Sequence, residues 1–109
     1  MNEHDTLTAY AALRSLVARM RDAAEREDWA QLAAYEPEMQ RQSSLLMGAP
    51  ALTQPEAQGE QLAHIQSIMR DDAAIRARVS PYMDKLCKLI QQSGTHRRSV
   101  NAYRQTPPV

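Results

Sequence analysis

The sequence is poor in the residues that build aromatic cores, sheets and disulfides. Its 109 residues include no phenylalanine, one tryptophan, three glycines and one cysteine. The single cysteine, Cys87, excludes an internal disulfide and is typical of proteins in a reducing compartment. Scarce glycine, with many Ala, Gln, Glu and Arg residues, favours helix and predicts no strand pair. We therefore expect an all-α protein with a thin aliphatic core.

Net charge and long apolar runs are also missing. Thirteen basic and thirteen acidic residues cancel, so the chain as a whole offers no attraction to nucleic acid or to an anionic membrane surface. No apolar run is long enough to cross a membrane, and the N-terminus lacks the basic and then apolar pattern of a signal peptide. These absences predict a cytoplasmic protein that binds neither nucleic acid nor membrane directly.

The main feature that is present is an apolar heptad seam within residues 56–93. The seam predicts one long amphipathic helix that ends at Gly94, with other helices packed along it. Pro81 interrupts this helix, but the seam keeps its phase, so we expect a kinked continuous helix; a break at Ser80 is the alternative. The seam residues, three or four apart with one gap at Asp72, are Leu62, Ile65, Ile68, Ile75, Val79, Tyr82, Leu86 and Leu89.

Two shorter helices are expected before the long one. The first runs from a cap at Thr6 to about Arg26, and the second opens at Asp28 and ends at Met47. The short link between them predicts antiparallel neighbours, and Pro37 predicts a kink in the second helix. The apolar stripe of the first helix consists of Tyr10, Leu13, Leu16, Val17, Met20 and Ala24.

A last short helix is expected after the long one. The segment from Ser99 to Gln105 is too short to be stable alone, so we expect Val100 and Tyr103 to dock on the bundle as a displaceable lid. The sequence thus predicts one domain, residues 1–109, with an antiparallel bundle of three main helices at 6–94 and a short C-terminal helix and tail at 95–109.

Residues that could carry chemistry are scattered. The histidines at positions 4, 64 and 96 have no partner at metal-site spacing, and Cys87 lies on no activating helix N-terminus. The neighbouring carboxylates Asp71 and Asp72 point about 100° apart on a helix, so they do not form an acid–base pair. Asp72 at a seam position is either a polar residue that sets the register, paired with Arg76, or a carboxylate at the solvent rim of the seam, and we favour the rim. We expect no enzymatic activity, no cofactor and no metal.

The apolar stripes are the remaining candidate for function. Methionines on or beside the stripes give a groove the flexibility to accept differently shaped partners, although they also serve as ordinary core filler in a bundle short of aromatics. We predict a partner-binding surface on the long helix and the C-terminal segment. Its residues are Met69, Ile75, Val79, Tyr82, Met83, Leu86, Val100 and Tyr103.

Two local patterns and the order of the helices resemble the FliT family of flagellar export chaperones. The first pattern is Asp28-Trp29-Ala-Gln-Leu32, which opens the second helix, and the second is Ser99-Val-Asn-Ala-Tyr103 behind the long helix. The resemblance implies a cytoplasmic chaperone that keeps the filament-cap protein FliD soluble before type III export. It also implies contacts with the export ATPase FliI and its partner FliJ and, in some bacteria, inhibition of the master regulator FlhDC.

The sequence departs from the family in its last segment and its prolines. Family members commonly have a longer last helix, whereas here Pro107 and Pro108 follow soon after Tyr103, so the sequence leaves open whether that segment is autoinhibitory. Pro37 and Pro81 likewise leave open whether the second and third helices are straight. We expect the free protein to cover its surplus stripe as a homodimer. The competing hypothesis is a scaffolding bundle that dimerises through the same stripe and has no client.

Overall fold

The computed structural model describes the backbone of residues 2–105 and the side chains of residues 2–93. Three helices make up nearly all of this range: α1 (Glu3–Glu25), α2 (Trp29–Met47) and α3 (Pro55–Gln105). No strand occurs between residues 2 and 105. The predicted all-helical class is therefore confirmed, as are the start of the second helix after Asp28 and its end at Met47.

Helix α1 begins four residues before the predicted start. The side chain of Asn2 accepts a hydrogen bond from the amide of Asp5 at 2.7 Å, so Asn2 caps the helix. Thr6, the predicted cap, is instead 2% exposed inside the first turns, and its hydroxyl donates to the Asn2 carbonyl at 3.0 Å. Both residue types suit a cap, and Asn2 leaves room for one more helical turn.

The turn between α1 and α2 reverses the chain. Glu27 has a left-handed backbone with φ 56°, and the amide of Asp28 donates to the carbonyl of Ala23 at 2.9 Å. This is the hydrogen bond of a Schellman cap, formed here without glycine. Asp28 then accepts from the amide of Gln31 at 3.1 Å and caps α2. Because the turn is tight, α2 packs back against α1.

Helices α1 and α3 run side by side in the same direction. Gln61 donates to the Tyr10 hydroxyl at 3.1 Å, and Arg21 donates to Asp71 at 2.8 Å. The partners of each pair are 51 and 50 residues apart in sequence, and a constant separation along two helices means parallel axes. The predicted antiparallel order therefore applies to the successive helices α1 and α2, whereas α1 and α3 are a parallel pair.

The chain divides into two compact units. The first unit, Met1–Arg78, contains α1, α2 and the first part of α3, and the second unit is Val79–Val109. All buried apolar side chains among residues 2–93 belong to the first unit, and most come from α1, whose predicted stripe is confirmed. They are Leu13, Leu16, Val17, Met20, Ala23, Ala24, Leu46, Leu52, Ala57 and Ile75.

Helix α3 is longer than predicted. It continues through Pro81, as the phase of the seam indicated, so a break at Ser80 does not occur. It also continues through Gly94 to Gln105, so the predicted end at Gly94 and the separate short helix are not found. Glycine costs about 1 kcal/mol inside a helix, which weakens a helix without ending it unless the residue turns left-handed. The kinks expected at the two prolines stay predictions.

Candidate partner-binding surface

The predicted partner-binding residues differ in exposure, and their role in binding stays a prediction. Ile75 is 9% exposed and belongs to the core of the first unit. Met69 is 65% exposed, but six residues before Ile75 it lies about 120° away around the helix. The side chains of Val100 and Tyr103 lie outside the described residues, and their predicted docking as a lid stays untested. Four predicted residues, Val79, Tyr82, Met83 and Leu86, remain together on one face of α3.

These four residues continue into an apolar stripe that reaches the end of the described side chains. Leu89 and Ile90 follow at the same helical spacing and are 61% and 63% exposed. Tyr82 is 37% and Met83 47% exposed, while Val79 and Leu86 are half-buried. We call this set the α3 stripe: Val79, Tyr82, Met83, Leu86, Leu89 and Ile90. Leu89 belonged to the predicted seam, and Ile90 widens it; their spacing was the signal for including both.

The same seam is covered in the first unit. Ile65 and Ile68 are half-buried and Ile75 is buried, because α1 lies along this part of α3. Leu62, which the spacing also assigned to the seam, is 54% exposed and lies on the side of the helix that carries Met69. The seam is therefore covered in one part of the helix and exposed in another. It is packed before residue 79 and open from there to residue 93.

A charged pair fixes the edge of the packed part. The guanidinium of Arg21 donates to Asp71 at 2.8 Å and to Glu25 at 2.9 Å. The side chain of Asp71 is 12% exposed, and hydrogen bonds to Asp71 and Glu25 raise the pKa of Arg21. Sequence reasoning chose the neighbouring Asp72 as the seam carboxylate. Asp72 is more exposed and pairs with Arg76 at 2.9 Å, as predicted, so the contact between the helices was missed.

A second polar contact lies about two turns earlier on both helices. Arg14 and His64 meet with Nη1 and Nδ1 3.4 Å apart, and Glu60 lies 3.8 Å from the other ring nitrogen. The His64 side chain is 12% exposed, and its Nε2 has no hydrogen-bond partner among the described residues. The imidazole of His64 therefore lies largely buried between α1 and α3, in contact with a residue of each helix.

No candidate metal-binding cluster occurs in the part of the chain described with side chains. No group of three His, Cys, Asp or Glu residues there could hold a metal ion, and Cys87 is a free, exposed thiol. An open depression of about 340 Å³ on α1 includes Arg21 and Glu25, which already pair with each other. None of the described helices is long and apolar enough to cross a membrane. The α3 stripe is thus the feature left for function.

Comparison with known proteins identifies a protein family that matches this chain. A family model described as "Flagellar protein FliT" matches residues 7–105, which is nearly the whole chain. No curated protein and no solved structure gives a significant match.

Proposed function

This chain belongs to the FliT family of flagellar export chaperones, and we propose that its α3 stripe binds the filament-cap protein, a FliD-like client, before type III export. The observation that carries the proposal is the exposure of Leu89 and Ile90 on a helix whose seam is packed before residue 79. Exposing such an apolar stripe to water is unfavourable in free energy, and exposed apolar stripes mark sites that a partner covers.

The chemistry proposed is recognition without covalent change. A client helix would lay residues at i, i+3, i+4 and i+7 along the α3 stripe, as α1 does along the earlier seam. The exposed Met83 adapts to different partner shapes, because its unbranched chain has several rotamers of similar energy. The area available is small, and association has its own entropic cost, so binding is reversible and the client is free to leave.

We further propose a wider set of contacts on the strength of family membership. The protein acts in the cytoplasm, and the export ATPase FliI, its partner FliJ and the regulator FlhDC are further candidates for binding. The free protein covers the α3 stripe as a homodimer that competes with the client. It has no enzymatic activity or cofactor and binds neither nucleic acid nor membrane directly. A scaffolding bundle that dimerises through the same stripe is the alternative.

Two leucines on α3 provide a matched test. Leu89 on the stripe and Leu62 off the stripe are 61% and 54% exposed, so Leu89→Asp and Leu62→Asp are equivalent changes at different faces. Titration calorimetry with the cap protein of the same bacterium should show at least about tenfold weaker binding for Leu89→Asp. Leu62→Asp should stay within about threefold, and circular dichroism should show both variants folded.

The outcomes separate the hypotheses. Equal weakening by both variants would place the client elsewhere on the protein. A wild-type protein that dimerises but does not bind the cap protein, at any concentration tested, would favour the scaffolding alternative.

A further inference from the structure

The zero net charge conceals a strong asymmetry between the two units. From Met1 to Arg78 the chain has eight basic and twelve acidic residues, whereas from Val79 to Val109 it has five basic and one acidic. The first unit therefore has a formal charge of −4 and the second of +4. The unit that contains the α3 stripe is the basic one.

One lysine lies along an edge of the α3 stripe. Lys85 is next to Leu86 and four residues before Leu89, which places it about 100° from the centre line of the stripe. Lys88, three residues later, lies about 160° from that line, on the back of the helix, and both lysines are exposed. Neither forms an ion pair with any residue in the range 2–93, and Asp84 is the one acidic residue of residues 79–93.

The packed part of the same helix shows how such an edge is completed. There the seam is covered by α1, and Arg21 of α1 reaches Asp71 of α3 across the edge at 2.8 Å. An apolar seam with a charge pair beside it is therefore an interface that this helix already makes. In the second unit α3 supplies the cations, so the complementary partner must supply the carboxylates.

We infer that the α3 stripe binds an acidic amphipathic helix, with apolar residues at i, i+3, i+4 and i+7 and Asp or Glu along the edge that faces Lys85. This inference rests on the proposed function and specifies the chemistry of the client. The stripe of a second copy is a poorer occupant, because it belongs to a basic unit and places Lys85 itself, and no carboxylate, at that edge. Charge complementarity then selects the partner and speeds its encounter, while the apolar anchors supply most of the affinity.

Designed peptides test the inference directly. Two helical peptides share leucines at i, i+3, i+4 and i+7, and one has glutamate and the other lysine along both edges. In fluorescence anisotropy at low salt, the glutamate peptide should bind at least about tenfold more tightly than the lysine peptide, and added salt should reduce the difference. Equal binding of the two peptides would overturn the inference.

A matched pair of variants locates the effect. Lys85→Glu should weaken the glutamate peptide about three- to tenfold and strengthen the lysine peptide. Arg70→Glu makes the same charge change at an exposed position of α3 in the first unit and should alter neither peptide beyond about twofold. A similar response of both variants would mean that overall charge, and not this edge, selects the partner.

Three controls test other occupants of the α3 stripe and separate a failure of this inference from a failure of the proposed function. Lys85→Glu should leave the sedimentation coefficient unchanged; loss of a dimer would assign the edge to a second copy. Vesicles of phosphatidylcholine and phosphatidylglycerol at three to one should not bring the protein down; cosedimentation that Lys85→Glu abolishes would assign the edge to lipid. If Lys85→Glu binds the cap protein normally while Leu89→Asp does not, the acidic-partner inference fails and the proposed function stands.

Discussion

The two units of this protein use one helix in opposite ways. In the first unit, Met1–Arg78, the seam of α3 is covered by α1, and Ile75 is 9% exposed. In the second unit the same spacing of apolar residues continues, yet Leu89 is 61% exposed. The spacing that makes a helix amphipathic is identical in both. What differs is whether the chain supplies a helix that covers the seam, and this difference separates a core element from an exposed apolar stripe.

The largest expected difference between the two units concerns leucine-to-alanine substitutions, one in each unit. Leu16 is 4% exposed and lies in the core of the first unit. Leu16→Ala should lower the unfolding free energy by about 2–5 kcal/mol, because it leaves a cavity in that core. Leu89→Ala in the second unit should cost less than about 1 kcal/mol, because the side chain already contacts water. Urea unfolding followed by circular dichroism measures both. Equal costs would mean that the stripe is packed in the free protein.

The adjacent carboxylates of α3 sharpen the comparison within the first unit. Asp71→Asn should lower the unfolding free energy by about 1 kcal/mol, because it weakens a partly buried, charge-assisted hydrogen bond between α3 and α1. Asp72→Asn should change it by less than about 0.5 kcal/mol, since its pair with Arg76 lies within one helix and in solvent. Thermal unfolding of the two variants side by side provides the measurement. A larger effect at Asp72 would contradict the register described for α1 and α3.

The smallest effect concerns pH. Hydrogen bonds from Arg41 and Gln42 lower the pKa of Glu38 to about 2, and hydrogen bonds from Thr53 lower the pKa of Glu3. A carboxylate with a lowered folded-state pKa stabilises the fold above its unfolded pKa, about 4.3, and that contribution is lost as the pH falls toward 2. Both groups lie in the first unit, so mild acid should weaken that unit.

Glu38→Gln isolates this contribution. The variant should be slightly less stable than the wild type at pH 6, and the difference should shrink as the pH falls from about 4.5 to 2. Urea midpoints at a series of pH values give the comparison. A difference that does not change with pH would show that the Glu38 carboxylate contributes nothing through its charge.

The sequence predicts the local features of this fold well. The stripe of α1, the cap at Asp28 and the pair of Asp72 with Arg76 depend on residues within a few positions of one another, so spacing suffices to find them. The phase of the seam likewise predicted that α3 continues through Pro81. Such features do not depend on how the helices pack against one another.

The features that were missed depend on tertiary contacts. Spacing places Leu62, Ile75 and Leu89 on one seam, but only the path of α1 decides that Ile75 is covered. The choice of Asp71 over Asp72 depends on the relative rotation of two helices that are 50 residues apart in sequence. The charge asymmetry was visible in the sequence, but the zero total concealed it until the boundary at Val79 gave a reason to count each part separately.

Amide hydrogen exchange, resolved by residue, tests the central claim most directly. In the free protein, at a concentration low enough for sedimentation to show a monomer, amides of α1 and of α3 before residue 79 should exchange slowly, and those of residues 79–93 should exchange fast, because few side chains are buried there. Saturation with the cap protein should slow exchange in residues 79–93 at least about tenfold and leave the first unit unchanged. If residues 79–93 are already as protected as α1 in the free protein, or if the bound partner protects only the first unit, the open α3 stripe is not the binding surface.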